Sequence, residues 1–433
     1  MTATKSLKEI PPIYLRVHLT VLQILGIDIL PVESVPQNLF YTYTALIIST
    51  MCLFTIAEFL DMVLNYEDIY RLTFGLCYCV THVLGTVKMF LMLYLRKKLW
   101  GNLTTLEEGI FKPNPTRGGP EELQIVNDAI TMCNRQGYVF YTLVFLIIGA
   151  RLLYASLANW PYDKHNYFDG NVTVIVNTKE MPYTTWMPFD YNDSPLYETI
   201  FAFQIFSTTV YGFYIGAADA VICGFMMLIK AQFLIVKREL ETLIERAQKA
   251  AIAENPDNED NFGREIERIE LLDKRTQDYV AKYANECVYH HQELIALCDH
   301  AEEDFCYLML LQFISSLLIV CFQLFQVSTL SPDSVEFFSM VCYLLLMLFQ
   351  LLCYCWHGNE VQIVSGELSR YAFGINWIIM RESPKKTLLL LMMRAQRPCY
   401  FTAGKFSLLS LQTFMTIVRG AGSYFMFLRQ MNI

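Results

Sequence analysis

Seven long apolar stretches divide the chain, and they constrain its fold more than any other feature. Each is close to the roughly 20 mostly apolar residues that an α-helix needs to cross a bilayer. They cover residues 39–62, 70–95, 137–160, 197–230, 305–328, 335–357 and 404–430. Because a backbone in hydrocarbon must satisfy its own hydrogen bonds, the stretches predict an all-α membrane protein with seven transmembrane helices.

The composition favours the same class. The length of 433 residues would suit two or three soluble domains, but 54% of the residues are hydrophobic and only 17% are charged. The net charge of −9 comes largely from acidic loops and gives no reason to expect a nucleic-acid partner. Most of the 13 cysteines lie in apolar spans without metal-ligand spacing, so neither a metal nor a cofactor is predicted.

The distribution of basic residues predicts the orientation. If the N-terminus is cytoplasmic, the inner segments hold 26 of the 33 lysines and arginines, and the outer segments hold four. The C-terminus is then extracellular. No secretory signal is expected in residues 1–38, which lack a short apolar core before a cleavage site. The sequon at Asn171 falls in the external loop 160–196 and is a predicted glycosylation site.

These assignments divide the chain into six segments. They are a cytoplasmic N-terminal segment (1–38), spans one to four with the external loop 160–196 (39–230), a cytoplasmic helical loop (231–304), spans five and six (305–357), a cytoplasmic turn with an anchor helix (358–403), and a seventh span with an external C-terminus (404–433). Within the helical loop, apolar residues recur at steps of three and four from Phe262 to Phe305. This pattern predicts a long amphipathic helix that enters the fifth span and needs a partner surface beneath the membrane.

Several polar groups leave alternatives open. The segment from His290 to Phe305 suggests either a metal site or, as favoured here, a solvated helix whose side chains cap or pair. Lys88 either reaches the membrane interface or makes a polar contact inside the bundle. Arg151 lies deeper and is predicted to pair with an acid, the candidates being Glu58, Asp61 and Asp219. No catalytic motif is present, so an enzyme is not expected.

Three motifs in the C-terminal third resemble those of the insect odorant-receptor family. They are YCWHGNEVQIVSGELSRYAFGINW (354–377), CYFTAGKFSLLSLQTF (399–414) and SYFMFLRQ (423–430). In that family a Cys-Trp-x-Gly-Asn-Glu turn follows the sixth span, a Thr-Ala-Gly-Lys-Phe motif opens the seventh, and a Ser-Tyr-Phe motif lies near the chain end. The resemblance extends over the whole chain and is strongest from about Cys287 onward.

The resemblance implies a subunit of a tetrameric, cation-permeable channel that odorants open directly. In members of the family the seventh helices line the pore, and the subunits share a cytoplasmic anchor domain. The moderate 230–300 loop favours an odorant-specific tuning subunit over the longer co-receptor. The implied partners are the co-receptor subunit, a small volatile odorant and membrane lipid. The implied location is the plasma membrane of an olfactory sensory neuron.

The family pattern also implies functional positions. Phe427 and Met431 match an apolar gate ring, Gln430 matches a polar pore position, and Ser423 lies one turn below. Arg419 lies on the same side of this helix. Either the pore is wide and wet at its level, or, as favoured here, its guanidinium turns sideways to a neighbour. The ligand-binding candidates in the outer half of the bundle are Tyr78, Thr81, His82, Val83, Gly85, Leu153, Ser156, Trp160, Phe203, Phe206, Thr209, Met340 and Tyr343.

Other classes of membrane protein fit less well. A rhodopsin-like receptor keeps its N-terminus outside and carries Asp-Arg-Tyr and Asn-Pro-x-x-Tyr motifs that this chain lacks. A gustatory-type receptor, which forms a homomeric ligand-gated channel, is the main alternative, although the Ser-Tyr-Phe ending disfavours it. A secondary transporter would show inverted repeats and interrupted helices, and neither is visible in the sequence.

Overall fold

Long helices build almost the whole molecule. The computed structural model describes residues 14–29, 36–158, 166–169, 172–175, 179–191, 193–254 and 272–431. The helices in these ranges are α1 (Arg16–Ile24), α2 (Gln37–Leu64), α3 (Ile69–Glu107), α4 (Pro115–Gly118), α5 (Glu121–Ala158), α6 (Leu196–Glu241), α7 (Leu243–Glu254), α8 (Lys274–Thr329), α9 (Val335–Phe373), α10 (Glu382–Ala395) and α11 (Leu411–Met431). A 3₁₀ turn, Gly109–Phe111, follows α3.

In the part of the chain that the structure describes, two short antiparallel strand pairs accompany the helices. β1 (Asn166–Asp169) pairs with β2 (Val172–Ile175) inside the predicted external loop. β3 (Thr402–Ala403) pairs with β4 (Ser407–Leu408) immediately before α11. The second hairpin therefore fixes where the last helix begins.

Within the described residues, six helices are long and apolar enough to cross a membrane: α2, α3, α5, α6, α8 and α9. Each corresponds to one of the first six predicted spans, several of them extending well beyond it, and together they indicate a membrane protein. The predicted start of the seventh span at 404 is wrong, because residues 402–408 form the second hairpin and α11 begins at Leu411. α11 has 21 residues and is not one of the six helices, so a seventh crossing remains a prediction. α8 is much longer than a bilayer requires. Its 56 residues would reach about 84 Å at 1.5 Å per residue.

Side-chain caps begin several of these helices. Asp68 precedes α3 and accepts a hydrogen bond from the backbone N–H of Arg71. Asp273 caps α8 in the same way, and Ser334 caps α9 through the N–H of Phe337. Each cap satisfies amide groups that have no partner within the first turn of a helix.

The expected turn after the sixth span is wrong. The Cys-Trp-x-Gly-Asn-Glu motif lies inside α9, which continues without interruption to Phe373. The apolar stretch ends near 357, but Gly358 and the more polar residues after it are still helical. Hydropathy therefore located the end of the apolar segment, whereas the helix itself ends 16 residues later.

α6 is the central helix of the bundle. In its most apolar 18-residue window 89% of the residues are buried, against 33% in α2 and α5. It contacts α1, α2, α3, α5, α8 and α9. Its glycines allow this close packing: a Cβ on Gly216 would lie 2.5 Å from the Phe140 ring of α5. The surrounding helices consequently share one continuous core with α6.

α1 packs against α5 and α6 at the predicted inner end. Leu15, Leu19 and Leu22 are fully buried there. His18 lies on the same face, with its Nδ1 3.0 Å from the Tyr141 hydroxyl oxygen. Burial lowers the pKa of His18 to about 4, so the ring is neutral at physiological pH.

The inner part of α8 is buried rather than solvated along one side. His290 places Nδ1 2.8 Å from Glu239 Oε1 and Nε2 3.2 Å from Gln232 Oε1, both on α6. Arg117 reaches the same Glu239 carboxylate at 2.9 Å. Both histidine nitrogens thus have partners within the chain. Among the described residues no group of three or more His, Cys, Asp or Glu side chains is arranged to hold a metal ion.

Candidate functional site

A cavity of about 60 Å³ lies between α3, α5, α6 and α9, toward the predicted outer end of the bundle. Its lining is mostly apolar and aromatic, as expected for a site that binds small apolar molecules. It comprises Tyr78, Thr81, His82, Phe140, Val144, Ile147, Ile148, Tyr183, Thr208, Tyr211, Gly212, Ile215, Tyr343, Leu346 and Met347.

Two stacked tyrosines form one wall of the cavity. The rings of Tyr78 and Tyr343 lie 4.8 Å apart with an interplanar angle of 10°. The Tyr343 and Thr81 hydroxyl oxygens are 2.5 Å apart, and each hydroxyl lies 3.0 Å from the Cys77 carbonyl oxygen. The hydroxyls of Tyr343 and Thr81 are therefore already hydrogen bonded within the protein.

His82 offers the cavity a different kind of polar group. Its Nδ1 lies 2.7 Å from a carboxylate oxygen of Glu58, and both side chains are buried. Its other ring nitrogen makes no hydrogen bond with any residue that the structure describes. The ring packs on Tyr211 at 4.4 Å. An imidazole fixed through one nitrogen can exchange a hydrogen bond with a ligand through the other.

Residues 179–191 close the cavity at its predicted outer end. The Tyr183 side chain is buried, and its ring meets Tyr78 edge-on at 5.1 Å. Gln204 of α6 holds this segment: it accepts from the Tyr183 N–H at 3.1 Å and donates to the Tyr183 carbonyl at 3.0 Å and to the Thr185 hydroxyl at 2.8 Å. The loop is therefore part of the wall and not a free strand over the bundle.

Arg151 also holds this segment, and its predicted acidic partners are wrong. Its guanidinium donates to the Pro182 carbonyl, with Nε at 2.9 Å, and pairs with Glu336 at 3.2 Å. It also lies over the Phe74 ring, 4.8 Å from the centroid. Glu336 is in the first turn of α9, and only the packing of α5 beside that turn brings the two together.

The predicted ligand residues fall into several environments. Tyr78, Thr81, His82 and Tyr343 line the cavity. Met340 and Gly85 lie just behind its walls: Met340 Sδ is 4.0 Å from the Tyr78 hydroxyl, and a Cβ on Gly85 would lie 3.1 Å from the Tyr211 ring.

The remaining candidates are farther from the cavity. Phe203 and Thr209 are half-buried on α6, and Phe203 packs edge-on against Phe54. Four are exposed on the outside of their helices: Val83, Leu153, Ser156 and Phe206. Trp160 and the predicted glycosylation site Asn171 lie outside the described residues. Ligand contact stays a prediction for the whole set.

Several lining residues were not predicted: Phe140, Val144, Ile147, Ile148, Tyr183, Thr208, Tyr211, Gly212, Ile215, Leu346 and Met347. Helix periodicity gave a usable signal for two of them, since Leu346 and Met347 follow Tyr343 by three and four residues. It gave none for Tyr183, which belongs to a segment without regular structure.

A buried polar cluster lies beneath the cavity, around Asp219 of α6. Lys88 of α3, which is fully buried, pairs with this carboxylate. Tyr354 donates to it at 2.6 Å, and Gln350 donates to it as well. Gln312 of α8 then donates to Gln350 at 3.1 Å, so the cluster links four helices. Of the two alternatives for Lys88, the structure shows the polar contact inside the bundle.

α11 has one packed face and one open face. Phe414, Ile417, Ala421 and Leu428 pack against the core, and a Cβ on Gly420 would lie 3.3 Å from Leu317 of α8. The opposite face is exposed along its length: Gln412, Met415, Thr416, Arg419, Ser423, Met426, Phe427 and Gln430. The predicted pore residues Ser423, Phe427 and Gln430 all lie on this face. The side chain of Met431 lies outside the described part of the chain.

The chain before α11 is tied to α8 and α9. The Gly404 N–H donates to the Cys306 carbonyl at 2.9 Å, and Glu302 of α8 accepts from Thr402 and Lys405. On the other side, Gly358 of α9 lies directly against Leu409. The position of α11 therefore depends on both neighbouring helices.

The chain matches a known protein family over most of its length. The family model described as 7tm Odorant receptor matches residues 68–422. The chain belongs to the odorant receptor family. This is a family of receptors and not of enzymes, as the three C-terminal motifs had indicated.

The relatives of this odorant receptor are insect proteins. Odorant receptor Or1 of Anopheles gambiae is 21% identical over 351 residues, which cover 79% of this chain and 78% of that protein. Odorant receptor 9a of Drosophila melanogaster is 38% identical over 144 residues, which cover 33% of this chain and only 36% of the relative.

A solved structure shares the fold. The olfactory receptor OR5 from Machilis hrabei, solved in complex with eugenol, aligns with a TM-score of 0.75 at 16% identity. The alignment covers 96% of this chain and 98% of that one. At this identity the similarity establishes the helical architecture alone.

Proposed function

We propose that this chain is the odorant-specific subunit of a heteromeric, odorant-gated, non-selective cation channel. A volatile ligand binds in the cavity between α3, α5, α6 and α9, and its binding opens a pore lined by α11. The chain crosses the membrane seven times with its N-terminus inside, and it assembles as a tetramer with the co-receptor. It acts at the plasma membrane of olfactory sensory neurons. The cavity, with its stacked tyrosines and the His82 ring in its lining, is the observation that carries this proposal.

The size of the cavity supports a ligand-driven change. A volume of about 60 Å³ holds only a few water-sized spheres, whereas a cavity that accepts benzene is on the order of 150 Å³. An odorant must therefore widen the site when it binds. A ligand that fits only the widened form shifts the equilibrium toward that form, which is what gating requires.

One face of α9 connects the cavity to the start of α11. Tyr343 and Met347 line the cavity, and Gln350 and Tyr354 hold the Asp219 carboxylate. Gly358, one turn farther along, lies against Leu409. The steps between these residues are three or four, so all five lie on one side of a continuous helix. A ligand that displaces this face of α9 would also displace the segment around Leu409, which positions α11.

The first test measures whole-cell current from this chain expressed with and without the co-receptor while volatile compounds are applied. We expect odorant-evoked cation current only with both subunits, and no loss of current when G-protein signalling is blocked. Current from this chain alone would instead support the homomeric, gustatory-type alternative. Absence of current with both subunits at the surface, across a broad panel of volatiles, would count against a channel subunit.

Two adjacent leucines of α9 provide a test of whether the odorant binds in the cavity. Leu346 lines it and is 4% exposed, whereas Leu345 is 52% exposed on the outside of the same helix. Leu346→Ala removes apolar surface that a bound odorant would touch. At about 0.8 kcal/mol per CH₂ group, we expect at least a tenfold rise in EC50 for the best ligand and relatively better responses to bulkier ones.

Leu345→Ala is the control, because the same atoms are removed from a surface outside the cavity. It should leave EC50 within about twofold at equal surface expression. The measurement is a concentration–response curve for a homologous series of odorants. Equal shifts in both variants, or none in Leu346→Ala, would show that the ligand binds elsewhere.

A further inference from the structure

Arg419 differs from the other charged side chains of the bundle. Those inside it are paired, including Lys88 with Asp219 and Arg151 with Glu336. Arg419 is exposed, and its side chain makes no hydrogen bond or ion pair with any described residue. Apart from the backbone hydrogen bonds of the helix itself, its carbonyl oxygen accepts a hydrogen bond from the Ser423 hydroxyl at 3.1 Å.

Its neighbours on α11 are polar. At 3.6 residues per turn, a polar stripe of five residues falls within an arc of roughly 60°. The stripe consists of Gln412, Thr416, Arg419, Ser423 and Gln430, all of them fully or largely outside the packed core. The opposite side of the helix, with Ile417 and Ala421, packs on the core. The guanidinium therefore points away from its own subunit, along the most polar line of the helix.

Three surroundings could receive this cation. Lipid is unfavourable, because an unpaired charge and a row of amides and hydroxyls would lose their hydration in hydrocarbon. A second copy of α11 offers no carboxylate, since residues 404–433 contain neither Asp nor Glu. Water hydrates all five side chains of the polar stripe and needs no partner group from another subunit, so we favour a water-filled path along the stripe.

We propose that the Arg419 guanidinium lies in the ion path of the assembled channel and lowers its relative permeability to divalent cations. This inference rests on the proposed function, specifically on α11 lining the pore. A fixed positive charge repels Ca²⁺ twice as strongly as Na⁺. At a separation of about 5 Å in a water-like dielectric, the difference corresponds to a roughly fourfold change in the permeability ratio, and salt screening reduces it toward twofold.

The test measures reversal potentials in Ca²⁺ and Na⁺ solutions for this chain co-expressed with the co-receptor. Arg419→Gln should raise the Ca²⁺/Na⁺ permeability ratio two- to fourfold, and Arg419→Lys should keep the parent value. Arg429→Gln is the control: Arg429 is exposed on the same helix but lies roughly 80° from Arg419 and nearer the end, so no change is expected. An unchanged ratio in Arg419→Gln would overturn the inference.

Arg419→His gives a second readout within one assembled channel, because its charge can be switched by pH. Because an imidazole of ordinary pKa is about three-quarters protonated at pH 6, we expect the permeability ratio to rise roughly 1.5- to 2.5-fold between external pH 6 and pH 8 in this variant, and to stay constant in the parent. A pH-independent ratio in the variant would overturn the inference. So would loss of surface assembly in Arg419→Gln that Arg419→Lys restores, since that result indicates an ion pair with the neighbouring subunit.

Ser423→Cys separates failure of this inference from failure of the proposed pore. A cationic thiol reagent should block current through Ser423→Cys and leave the parent, with its 13 native cysteines, unaffected. Block at position 423 together with an unchanged ratio in Arg419→Gln refutes only the role of Arg419. Absence of block in Ser423→Cys, at normal current, refutes the pore assignment of α11 and the inference with it.

Discussion

Replacing Asp219 with leucine is expected to remove most of the folded protein from the cell surface. The carboxylate is the common partner of Lys88, Gln350 and Tyr354 in the middle of the bundle. Without it, the fully buried Lys88 ammonium keeps the Tyr354 ring, 5.6 Å from its centroid, as its one attractive neighbour among the described residues. Breaking a buried ion pair by removing one member costs about 3–5 kcal/mol, which is comparable to the whole stability of many domains.

Two variants make this expectation specific. Asp304→Leu is the matched control, because its partner Lys98 is 65% exposed and such pairs contribute about 0–1 kcal/mol. The double variant Asp219→Leu/Lys88→Met removes both charges and should recover part of the loss, but Gln350 and Tyr354 still lack their acceptor. Surface labelling and the thermal unfolding midpoint in detergent report the effect. A double variant no more stable than Asp219→Leu would mean that the Lys88 charge is not the cause.

Replacing Gly358 with alanine is expected to reduce odorant-evoked current at least tenfold. A Cβ at this position would lie 2.4 Å from the Leu409 Cβ and 2.8 Å from the Leu409 carbonyl oxygen. The carbonyl is backbone and cannot rotate away, so the segment two residues before α11 must move. Overpacking of this kind costs about 1–3 kcal/mol. The displacement falls on the chain that positions the proposed pore helix.

Gly366→Ala is the control for Gly358→Ala. It lies two turns farther along the same helix, and its added Cβ would meet Pro398 at an ordinary 3.5 Å. Alanine also favours a helix over glycine by roughly 0.5–1 kcal/mol, so this variant should be neutral or slightly stabilised. Current at matched surface expression, with the thermal midpoint, separates the two. Equal behaviour of both variants would show that contact with Leu409 does not control α11.

Local sequence signals located much of the fold. Six of the seven apolar stretches coincide with helices long and apolar enough to span a membrane, and the C-terminal motifs identified the family. Stretch length and side-chain hydropathy are properties of contiguous residues, so they can be read without knowledge of packing. The ends of the helices were harder to predict. α9 continues 16 residues past the predicted span, because hydropathy reports the extent of the apolar segment and not the last helical turn.

The candidate site was only partly predictable. Tyr78, Thr81, His82 and Tyr343 were singled out and do line the cavity, whereas Val83, from the same prediction, is exposed on the outside of α3. Each of these residue types could line a pocket on an apolar helix, and the side of the helix that faces inward is decided by which helices pack against it. Candidates chosen from the sequence of the spans therefore include both lining and exposed positions.

The sequence by itself determined that this chain is a helical membrane protein of the odorant receptor family, since length, hydropathy and short motifs are local. Tertiary structure alone decided which distant groups meet. Arg151 pairs with Glu336, 185 residues away in the sequence. Tyr183 belongs to a segment without regular structure, and its buried side chain closes the cavity. It also explains Gly358, whose missing side chain makes room for Leu409. Such contacts join residues far apart in the chain, and only the packing of complete helices fixes the distances between them.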